Sequence, residues 1–437
     1  MTLFKNFDAY TKKIDSIDLI KVVGKVVQVV GLVIEAQVQG VFFGELCNIV
    51  IDKDNVIEAE VVGFNEEVVL LMPLGMMAGI SPGSKVYGTG KPLMVGVGEN
   101  CLGRVLNGLG RPIDGNGPIE YDTHYGVDND PPDPILRPII TRVLEMGVKA
   151  IDGTLTLGRG QRVGIFAGSG VGKSTLMGML ARNCLADINV FCLVGERGRE
   201  VNDFIEESLG EEGLKRTVVV CATSDTPPII RQRAPMVATA MAEYFRDQGK
   251  DVLFMMDSVT RFAMAQREIG LACGEPPTTK GYTPSVFAML PRLMERAGTS
   301  DKGSITAIYT VLVDGGDMDE PIADAARGIL DGHILLNRDL AAKNHYPCID
   351  VPASVSRLMN AICTEEHKTA AGQLREILSK YAEAEDLINI GAYVKGSNPK
   401  IDYAVDNIDA VNTFLQQRTD ANIPMEESVK MLSTMFK

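Results

Sequence analysis

The sequence predicts a three-part fold: an N-terminal β-barrel, a central α/β domain built on a parallel sheet, and a C-terminal helical domain. Short Val/Ile/Leu-rich segments separated by turns fill residues 20–98. Apolar runs alternate with helical patterns over residues 151–350, and helical patterns alone fill residues 360–437. Closely spaced short strands are typical of small barrels, and strand–helix alternation is typical of a parallel sheet covered by helices.

Composition supports an ordinary globular protein and excludes several classes. Hydrophobic residues make up 45% of the 437 residues and charged residues 23%, which excludes disorder and disulfide-rich miniproteins. The net charge of −14 disfavours a surface that binds nucleic acid throughout. The cysteines form no C-x-x-C pair and the histidines show no metal-binding spacing, so we expect reduced thiols and no zinc site. No apolar run reaches the roughly 18 residues of a membrane span and no signal peptide is visible, which predicts a cytoplasmic protein.

These patterns divide the chain into five segments. They are an N-terminal amphipathic segment (residues 1–18), the β-barrel domain (19–98), a Gly/Pro-rich connector (99–150), the α/β domain (151–358) and the helical domain (359–437). In the first segment, apolar residues recur at helical spacing and predict a short helix. That helix either packs on its own protein or frays in solvent, or it docks a partner. In the connector, the density of prolines disfavours helices and central strands.

Five apolar runs are the predicted strands of the α/β domain. They are Gln161–Ala167, Asn189–Val194, Thr217–Ala222, Val252–Met256 and Ser304–Val313. Helical patterns lie between most of them, as a parallel sheet requires.

The strongest local motif is Ala167–Ser174, which reads Ala-Gly-Ser-Gly-Val-Gly-Lys-Ser between a predicted strand and a predicted helix. This is the context of a phosphate-binding P-loop, because glycines let backbone amides face an anion and the helix N-terminus adds its dipole. Lys173 would reach the β- and γ-phosphates, and Ser174 would ligate Mg²⁺. The predicted nucleotide contacts are Gly168, Ser169, Gly170, Val171, Gly172, Lys173, Ser174 and Thr175. A chance glycine-rich turn is the alternative, and the flanking strand and helix disfavour it.

A second acidic position follows another apolar run. Val252–Asp257 has the pattern of a buried strand that ends in the carboxylate a P-loop needs for magnesium. On its own, Asp257 could equally cap the next helix. The P-loop upstream favours the metal role.

The segment Phe191–Glu200 begins as a strand and ends in a charged turn. Glu196 stands near the carboxyl end of that strand, where parallel sheets bind ligands, and a carboxylate there can act as a general base. Arg197 could contact phosphate, and Glu200 could bind a magnesium-bound water. Spacing alone favours a solvent-exposed charged loop.

Together with Tyr346–Arg357, these segments occur in an order and at separations that resemble the catalytic subunits of the rotary ATP synthase alpha/beta superfamily. The sequence is more similar to the type III protein-export ATPases of that superfamily. Gly103–Asp114, Ala263–Ile269 and Gly281–Arg296 carry this closer resemblance. Ile390–Pro399 resembles the flagellar branch, the flagellum-specific ATP synthase or export ATPase.

The resemblance implies an α/β P-loop NTPase core with a RecA-like parallel sheet. It implies ATP and Mg²⁺ as the bound groups, with phosphate and magnesium ligands from Lys173, Ser174 and Asp257. It further implies that Glu196 is the catalytic glutamate and that Tyr346 stacks on adenine. Arg357 matches an arginine finger that reaches the neighbouring subunit's site in a homohexameric ring. Such a finger is typically worth about 10³–10⁵ in rate.

The implied function is ATP hydrolysis that energises type III export of flagellar axial proteins and their chaperones. The implied partners are further copies of the chain, a central stalk-like coupling protein, the membrane proteins of the export gate, and export substrates with their chaperones. A peripheral-stalk-like negative regulator would dock on residues 1–18. No nucleic acid is implied, and the ring would associate with the inner face of the cytoplasmic membrane.

Four alternatives remain open at this stage. One is the catalytic subunit of a proton-translocating rotary ATPase or synthase, and another is an injectisome rather than a flagellar export ATPase. A third is a scaffold that binds nucleotide without hydrolysis, although non-catalytic subunits of the superfamily carry Gln at the position of Glu196. A ring helicase is disfavoured by the pI of about 4.9.

Overall fold

The computed structural model describes residues 23–313 and 316–436. The described residues divide into two compact units, one formed by those up to Leu93 with Leu271–Glu275, the other by those from Met94 to Gly270 and from Pro276 onward. The segment predicted over residues 1–18 lies outside the described residues. The predicted domain boundaries stay predictions.

The first unit contains a closed barrel with the strand order β1-β2-β5-β4-β3-β6. Its strands are β1 (Val23–Val30), β2 (Val33–Gln37), β3 (Glu45–Val50), β4 (Val56–Asn65), β5 (Val68–Pro73) and β6 (Lys85–Pro92). Alternate residues point inward and form an apolar core that includes Ile34, Ile49 and Leu71. Closure removes the exposed strand edges, and the predicted barrel is confirmed.

The second unit is organised around one large sheet in the order β19-β18-β12-β17-β15-β13-β14-β8, with β16 beside β17. The strands of this unit are β7 (Met94–Val97), β8 (Val105–Asn107), β9 (Thr123–Gly126), β10 (Val143–Leu144), β11 (Leu157–Gly158), β12 (Arg162–Ala167), β13 (Ile188–Val194), β14 (Thr217–Ala222), β15 (Asp251–Asp257), β16 (Gly298–Thr299), β17 (Ser304–Leu312), β18 (Gly332–Leu336) and β19 (Val355–Ser356). From β18 to β8 along this order the strands are parallel to one another, whereas β19 pairs antiparallel with β18 and β16 pairs antiparallel with β17. The predicted parallel sheet is confirmed.

Helices cover both faces of this sheet, so its central strands are buried almost throughout. The α-helices of the described residues, including those of the C-terminal domain, are α1 (Lys149–Thr154), α2 (Lys173–Asn183), α3 (Gly198–Asp203), α4 (Gly210–Lys215), α5 (Pro228–Asp247), α6 (Val259–Ala272), α7 (Pro284–Met294), α8 (Pro321–Ile329), α9 (Arg338–Ala342), α10 (Met359–Ile362), α11 (Glu365–Asn389), α12 (Pro399–Leu415) and α13 (Met425–Met435). Over residues 23–313 and 316–436, no helix is both long and apolar enough to cross a membrane.

The connector contributes more to the core than the sequence indicates. Its segment β8 pairs in parallel with β14 and forms one edge of the large sheet. An edge position suits a short strand between Gly- and Pro-rich turns, because few of its backbone groups need partners within the sheet. Further along the connector, the carbonyl of Val127 accepts a hydrogen bond of 2.7 Å from Arg296, whose guanidinium also pairs with buried Glu243 at 2.8 Å. The connector is therefore anchored into the α/β domain.

The C-terminal domain is helical, as predicted. Helices α11 and α12 pack against each other as a hairpin, and α13 packs against α11 and α1. The buried residues include Leu374 and Ile377 on α11 and Ile408, Val411 and Leu415 on α12. Their helical spacing places them on one side of each helix, where they form its packed face.

Candidate active site

The P-loop joins the end of β12 to the start of α2. Gly170 and Gly172 adopt positive φ angles of 78° and 81°, a conformation that glycine reaches without steric cost. These turns bring the chain directly into the first residue of α2, Lys173. Backbone amides of the loop and the N-terminus of α2 therefore form a binding site for anions such as phosphate.

Lys173 lies between two carboxylates. Its Nζ is 2.5 Å from Oδ1 of Asp257, the last residue of β15, and 4.0 Å from Oε1 of Glu196. The hydroxyl of Thr310, on neighbouring β17, donates a 2.7 Å hydrogen bond to the same Asp257 oxygen. Asp257 is almost completely buried, so these two contacts fix its carboxylate at the edge of the sheet.

Glu196 follows β13 at the same edge of the sheet. Its backbone is fixed by β14, because Gly195 donates a 2.7 Å hydrogen bond to the carbonyl of Ala222 and Ser224 donates one of 3.0 Å to the carbonyl of Glu196. Burial raises the pKa of the Glu196 carboxyl to about 7, and the charges of Asp257 and Glu200 act in the same direction. A carboxylate with a pKa near neutrality is suited to accept a proton from water at physiological pH.

Arg197 and Glu200 lie at the solvent side of Glu196. Both are exposed, and the Arg197 guanidinium is 3.4 Å from the Glu200 carboxylate across the first turn of α3. Exposed pairs of this kind add little stability, so both side chains can reorient toward a ligand.

These residues line one cleft of about 670 Å³. The predicted residues on its wall are Gly168, Ser169, Gly170, Gly172, Lys173, Ser174, Thr175, Glu196, Arg197, Glu200 and Asp257. Oxygen ligands such as the Ser174 hydroxyl and the Asp257 carboxylate suit Mg²⁺, so this donor set fits that ion.

The cleft also contains residues that the sequence analysis missed. Arg261, on the first turn of α6, lines it with a buried Nε that has no hydrogen-bond partner among the described residues. Phe204 and Ser224 also line the cleft. The signal for Arg261 was its position four residues after Asp257, which returns it to the same end of the sheet. An unpartnered guanidinium nitrogen beside a P-loop is suited to an anionic ligand.

A second cavity, of about 510 Å³, lies beside the cleft and shares Gly172 and Thr175 with it. We call it the base cavity. Tyr346 and Val171 line it, and Tyr346 is 41% exposed. The Cys348 thiol donates a 2.7 Å hydrogen bond to the carbonyl of Val171 and ties the tyrosine segment to the P-loop. An aromatic ring within reach of the phosphate site is suited to stack on a nucleotide base.

The far wall of the base cavity comes from Gln417, Arg418, Thr419 and Asp420, after the end of α12. The sequence analysis did not find this segment, because it carries no motif and lies more than 240 residues from the P-loop.

Arg357 lies outside both the phosphate cleft and the base cavity of its own chain. It follows β19, its side chain is exposed, and its backbone amide donates a 3.1 Å hydrogen bond to the carbonyl of Asp331. The walls of the phosphate cleft and of the base cavity do not include it. The fold thus brings together Lys173, Glu196 and Asp257 but leaves Arg357 outside the cleft of its own chain.

The fold and the cleft define a P-loop nucleotide-binding protein. Three family models match the chain. They are the nucleotide-binding domain of the ATP synthase alpha/beta family over residues 147–356, the beta-barrel domain of that family over residues 26–90, and the T3SS EscN ATPase C-terminal domain over residues 363–434. The chain belongs to the ATP synthase alpha/beta family, in the group of flagellum-specific ATP synthases and type 3 secretion system ATPases.

Named relatives span nearly the whole chain. It is 55% identical to the flagellum-specific ATP synthase of Bacillus subtilis (strain 168), over 97% of each protein. It is 53% identical to the type 3 secretion system ATPase of Xanthomonas euvesicatoria, over 94% of this chain and 93% of that protein. The assembled ATPase EscN of the enteropathogenic E. coli type III secretion system superposes with a TM-score of 0.90 at 44% identity, covering 95% of this chain and 100% of EscN.

Proposed function

We propose that this chain hydrolyses MgATP at the cleft beyond β12 and, as a homohexameric ring, energises type III protein export. The observation that carries the proposal is the convergence of Lys173, Glu196 and Asp257 at one edge of the sheet, directly beyond a P-loop. The names of the relatives support ATP hydrolysis in export, and the assembled EscN structure supports a ring.

Phosphate binding falls to the P-loop and Lys173. The amides of Gly168–Gly172 face the phosphates, and the Lys173 ammonium exchanges its contact with Asp257 for the β- and γ-phosphate oxygens. Arg261 and Arg197 provide further positive charge at the rim of the cleft. The phosphate chain is thereby positioned along the N-terminus of α2.

Ser174 and Asp257 would hold Mg²⁺ directly, and Glu200 would do so through a bound water. When bound, the ion neutralises charge on the phosphate oxygens. Glu196 orients a water for in-line attack on the γ-phosphorus and accepts its proton, while the bond to the β–γ bridging oxygen breaks and ADP leaves.

Arg357 acts in trans in this proposal. Because it lies outside the cleft of its own chain, it would reach the γ-phosphate of a neighbouring subunit and stabilise the charge of the transition state. Activity would then depend on assembly of the ring.

The tip of the α11–α12 hairpin is a candidate contact for a central stalk-like coupling protein. Ile390 and Val394 in its turn are 75% and 70% exposed, and Leu387 near the end of α11 is also exposed. Exposed apolar side chains in a cluster are typical of protein–protein contacts. EscN has been solved in complex with its central stalk EscO, and that chain superposes here with a TM-score of 0.88.

The remaining partners are the export gate at the inner face of the cytoplasmic membrane, export substrates with their chaperones, and a negative regulator that docks on residues 1–18. Deletion of residues 2–18 should abolish binding of that regulator and leave ATP hydrolysis by the purified ring intact. Retained regulator binding would refute the docking role.

Flagellar and injectisome relatives match at similar identity, 55% and 53%, and the flagellar role is the one we propose. Restored motility in a strain that lacks its flagellar export ATPase would support it. Restored secretion by an injectisome alone would favour the other branch.

The direct test of hydrolysis compares wild type with Glu196→Gln. We expect the substitution to lower kcat by about 10²–10⁴, the usual contribution of a general base, with ADP affinity retained. Lys400→Ala, which removes an exposed ion pair with Glu376, is the matched control and should hydrolyse ATP as wild type does. No ATP hydrolysis by the purified wild type at any concentration would revive the scaffold and rotary synthase alternatives.

A further inference from the structure

Thr310 contacts the Asp257 carboxylate from the neighbouring strand. The parallel strands β15 and β17 pair in a register that places Met256 beside Tyr309, so the next residues along each strand, Asp257 and Thr310, lie level with each other. Thr310 is fully buried, and its hydroxyl donates a 2.7 Å hydrogen bond to Oδ1 of Asp257. This contact is therefore set by the register of the sheet.

A second hydroxyl ties the end of β17 to the chain that follows Asp257. The backbone amide of Leu312, which lines the cleft, donates a 2.9 Å hydrogen bond to the hydroxyl of Thr260 on the first turn of α6. Thr260 is itself buried. The strand that carries Thr310 is thus joined to the segment 257–260 at two points, which fixes the Thr310 hydroxyl relative to the carboxylate.

Thr310 and Lys173 contact the same oxygen of Asp257. The Lys173 ammonium is 2.5 Å from Oδ1, and no described residue donates a hydrogen bond to the other oxygen, Oδ2. The two donors respond differently to a ligand. In the proposed function the ammonium turns from Asp257 to the phosphates, whereas the Thr310 hydroxyl lies on a buried strand and stays in place. Thr310 is then the donor that remains on Oδ1.

We propose that Thr310 is a positioning residue of the magnesium site. Its hydroxyl keeps Oδ1 of Asp257 hydrogen-bonded when Lys173 moves to the phosphates, so that Oδ2 stays directed at the ion. This inference rests on the proposed function, since it assumes that Asp257 holds Mg²⁺ in the cleft. Without Thr310, the departure of Lys173 would leave a buried carboxylate oxygen without a donor, which is unfavourable and frees the carboxylate to rotate.

The test measures how much Mg²⁺ the full-length chain needs to bind ADP tightly, by calorimetry in EDTA and over a titration with Mg²⁺. Thr310→Val keeps the shape of the side chain and removes the donor. This variant should bind ADP like wild type in EDTA. It should need about 10- to 100-fold more Mg²⁺ to reach half of the Mg²⁺-dependent gain in ADP affinity, the usual effect of losing a group that orients a metal ligand.

Hydrolysis gives a second measurement on the same variant. An excess of Mg²⁺ should restore ATP hydrolysis by Thr310→Val, because the variant lacks only the means to orient Asp257. A loss of activity from damage to the fold would not respond to Mg²⁺.

Two further replacements grade the strength of the donor. Thr310→Ser keeps the hydroxyl and should need as much Mg²⁺ as wild type does. Thr310→Cys keeps only a weak donor and should fall between the serine and valine variants, so it also provides the test if the valine variant does not fold.

Thr239→Val is the matched control. Thr239 is a buried threonine on α5 whose hydroxyl donates a 2.7 Å hydrogen bond to the carbonyl of Pro235. The substitution makes the same deletion at a residue that does not line the cleft. It should change stability and leave the Mg²⁺ requirement unchanged.

The inference is overturned if Thr310→Val needs no more Mg²⁺ than wild type, or if the serine variant is impaired as strongly as the valine variant. It is also overturned if ADP affinity falls equally in EDTA and in Mg²⁺. Asp257→Asn distinguishes this failure from failure of the proposed function. If Asp257→Asn raises the Mg²⁺ requirement and Thr310→Val does not, only the role of Thr310 fails. If ADP binding by wild type does not respond to Mg²⁺ and Asp257→Asn binds alike, both fail.

Discussion

The phosphate cleft and the base cavity lie side by side at the start of α2, yet they are built in different ways. The cleft is made by residues that directly follow neighbouring parallel strands, so its charged groups meet at one edge of the sheet. The base cavity is made by segments from the P-loop, the chain near Tyr346 and the chain after α12. The cleft is therefore specified by short motifs, whereas the base cavity depends on how distant parts of the chain pack.

The largest effect that separates the two sites should come from Lys173→Ala. It removes the positive charge between Asp257 and Glu196 and should lower ATP hydrolysis by at least about 10², the scale of losing one positioned electrostatic contact in a catalytic site. Binding of magnesium tripolyphosphate, a ligand that has no base, should be lost as well, because this ligand contacts the cleft alone. Calorimetry and steady-state kinetics measure both quantities, and normal tripolyphosphate affinity in this variant would contradict the assignment of the cleft.

A second prediction concerns the pH dependence of stability without nucleotide or Mg²⁺. Because burial raises the pKa of Glu196 from 4.5 to about 7, the stability that this group contributes is complete below pH 4.5 and is lost as the pH rises through about 7. Glu196→Gln carries no charge at any pH. Its free energy of unfolding relative to wild type should therefore increase by about 1–3 kcal/mol between pH 5 and pH 8.

Chemical denaturation of both proteins in EDTA at pH 5, 6, 7 and 8 measures this difference. A difference that stays constant over this range would show that the carboxylate is not desolvated in the cleft.

A smaller effect should come from Cys348→Ala, which cuts the hydrogen bond between the base cavity and the P-loop. We expect a loss of about 1–2 kcal/mol of stability from the lost hydrogen bond and the small cavity, together with a KM for ATP raised about 2- to 5-fold. Cys47→Ala in the barrel core makes the same deletion at another fully buried site and is the matched control. It should lower stability and leave the KM unchanged; equal KM values for the two variants would remove the positioning role of Cys348.

The smallest effect should come from Tyr309→Phe on β17, the strand of the large sheet between β12 and β15. The Tyr309 hydroxyl is buried on β17 and has no hydrogen-bond partner in the part of the chain that the structure describes. Removing it should leave stability unchanged or raise it by up to about 1 kcal/mol, with normal ATP hydrolysis. Thermal and chemical unfolding measure this, and a loss of more than 1 kcal/mol would reveal an unrecognised partner of the hydroxyl.

The difference between the cleft, made at the ends of strands, and the base cavity, made by distant segments, also explains how much could be predicted from the sequence. Strands β12, β13 and β15 are continuous apolar runs, so their ends could be located from local pattern, and with them Lys173 and Asp257. For Glu196, spacing alone favoured an exposed loop, and the resemblance to the family indicated the site. The barrel followed from short apolar segments separated by turns, and the helical C-terminal domain followed from helical periodicity.

What escaped prediction depends on tertiary contacts. The edge strand β8 is only three residues long and is defined by its pairing with β14. Arg261 carries no motif of its own. Its place at the cleft follows only from its position four residues after Asp257, at the end of the sheet where Asp257 lies. The wall formed by Gln417–Asp420 exists only because Gln417 bonds to Tyr346 and Arg182 bonds to Thr419. No local pattern in the sequence predicts these contacts.

The central claim is that the active site is completed by Arg357 of a neighbouring copy. The most direct test measures ATP hydrolysis per chain against protein concentration for Arg357→Ala, Glu196→Gln and an equimolar mixture of the two. Our account predicts that each variant alone is inactive and that the mixture recovers activity at concentrations where wild type assembles, because some interfaces then pair an intact Glu196 with an intact Arg357. A mixture as inactive as its components, with normal assembly, would contradict it.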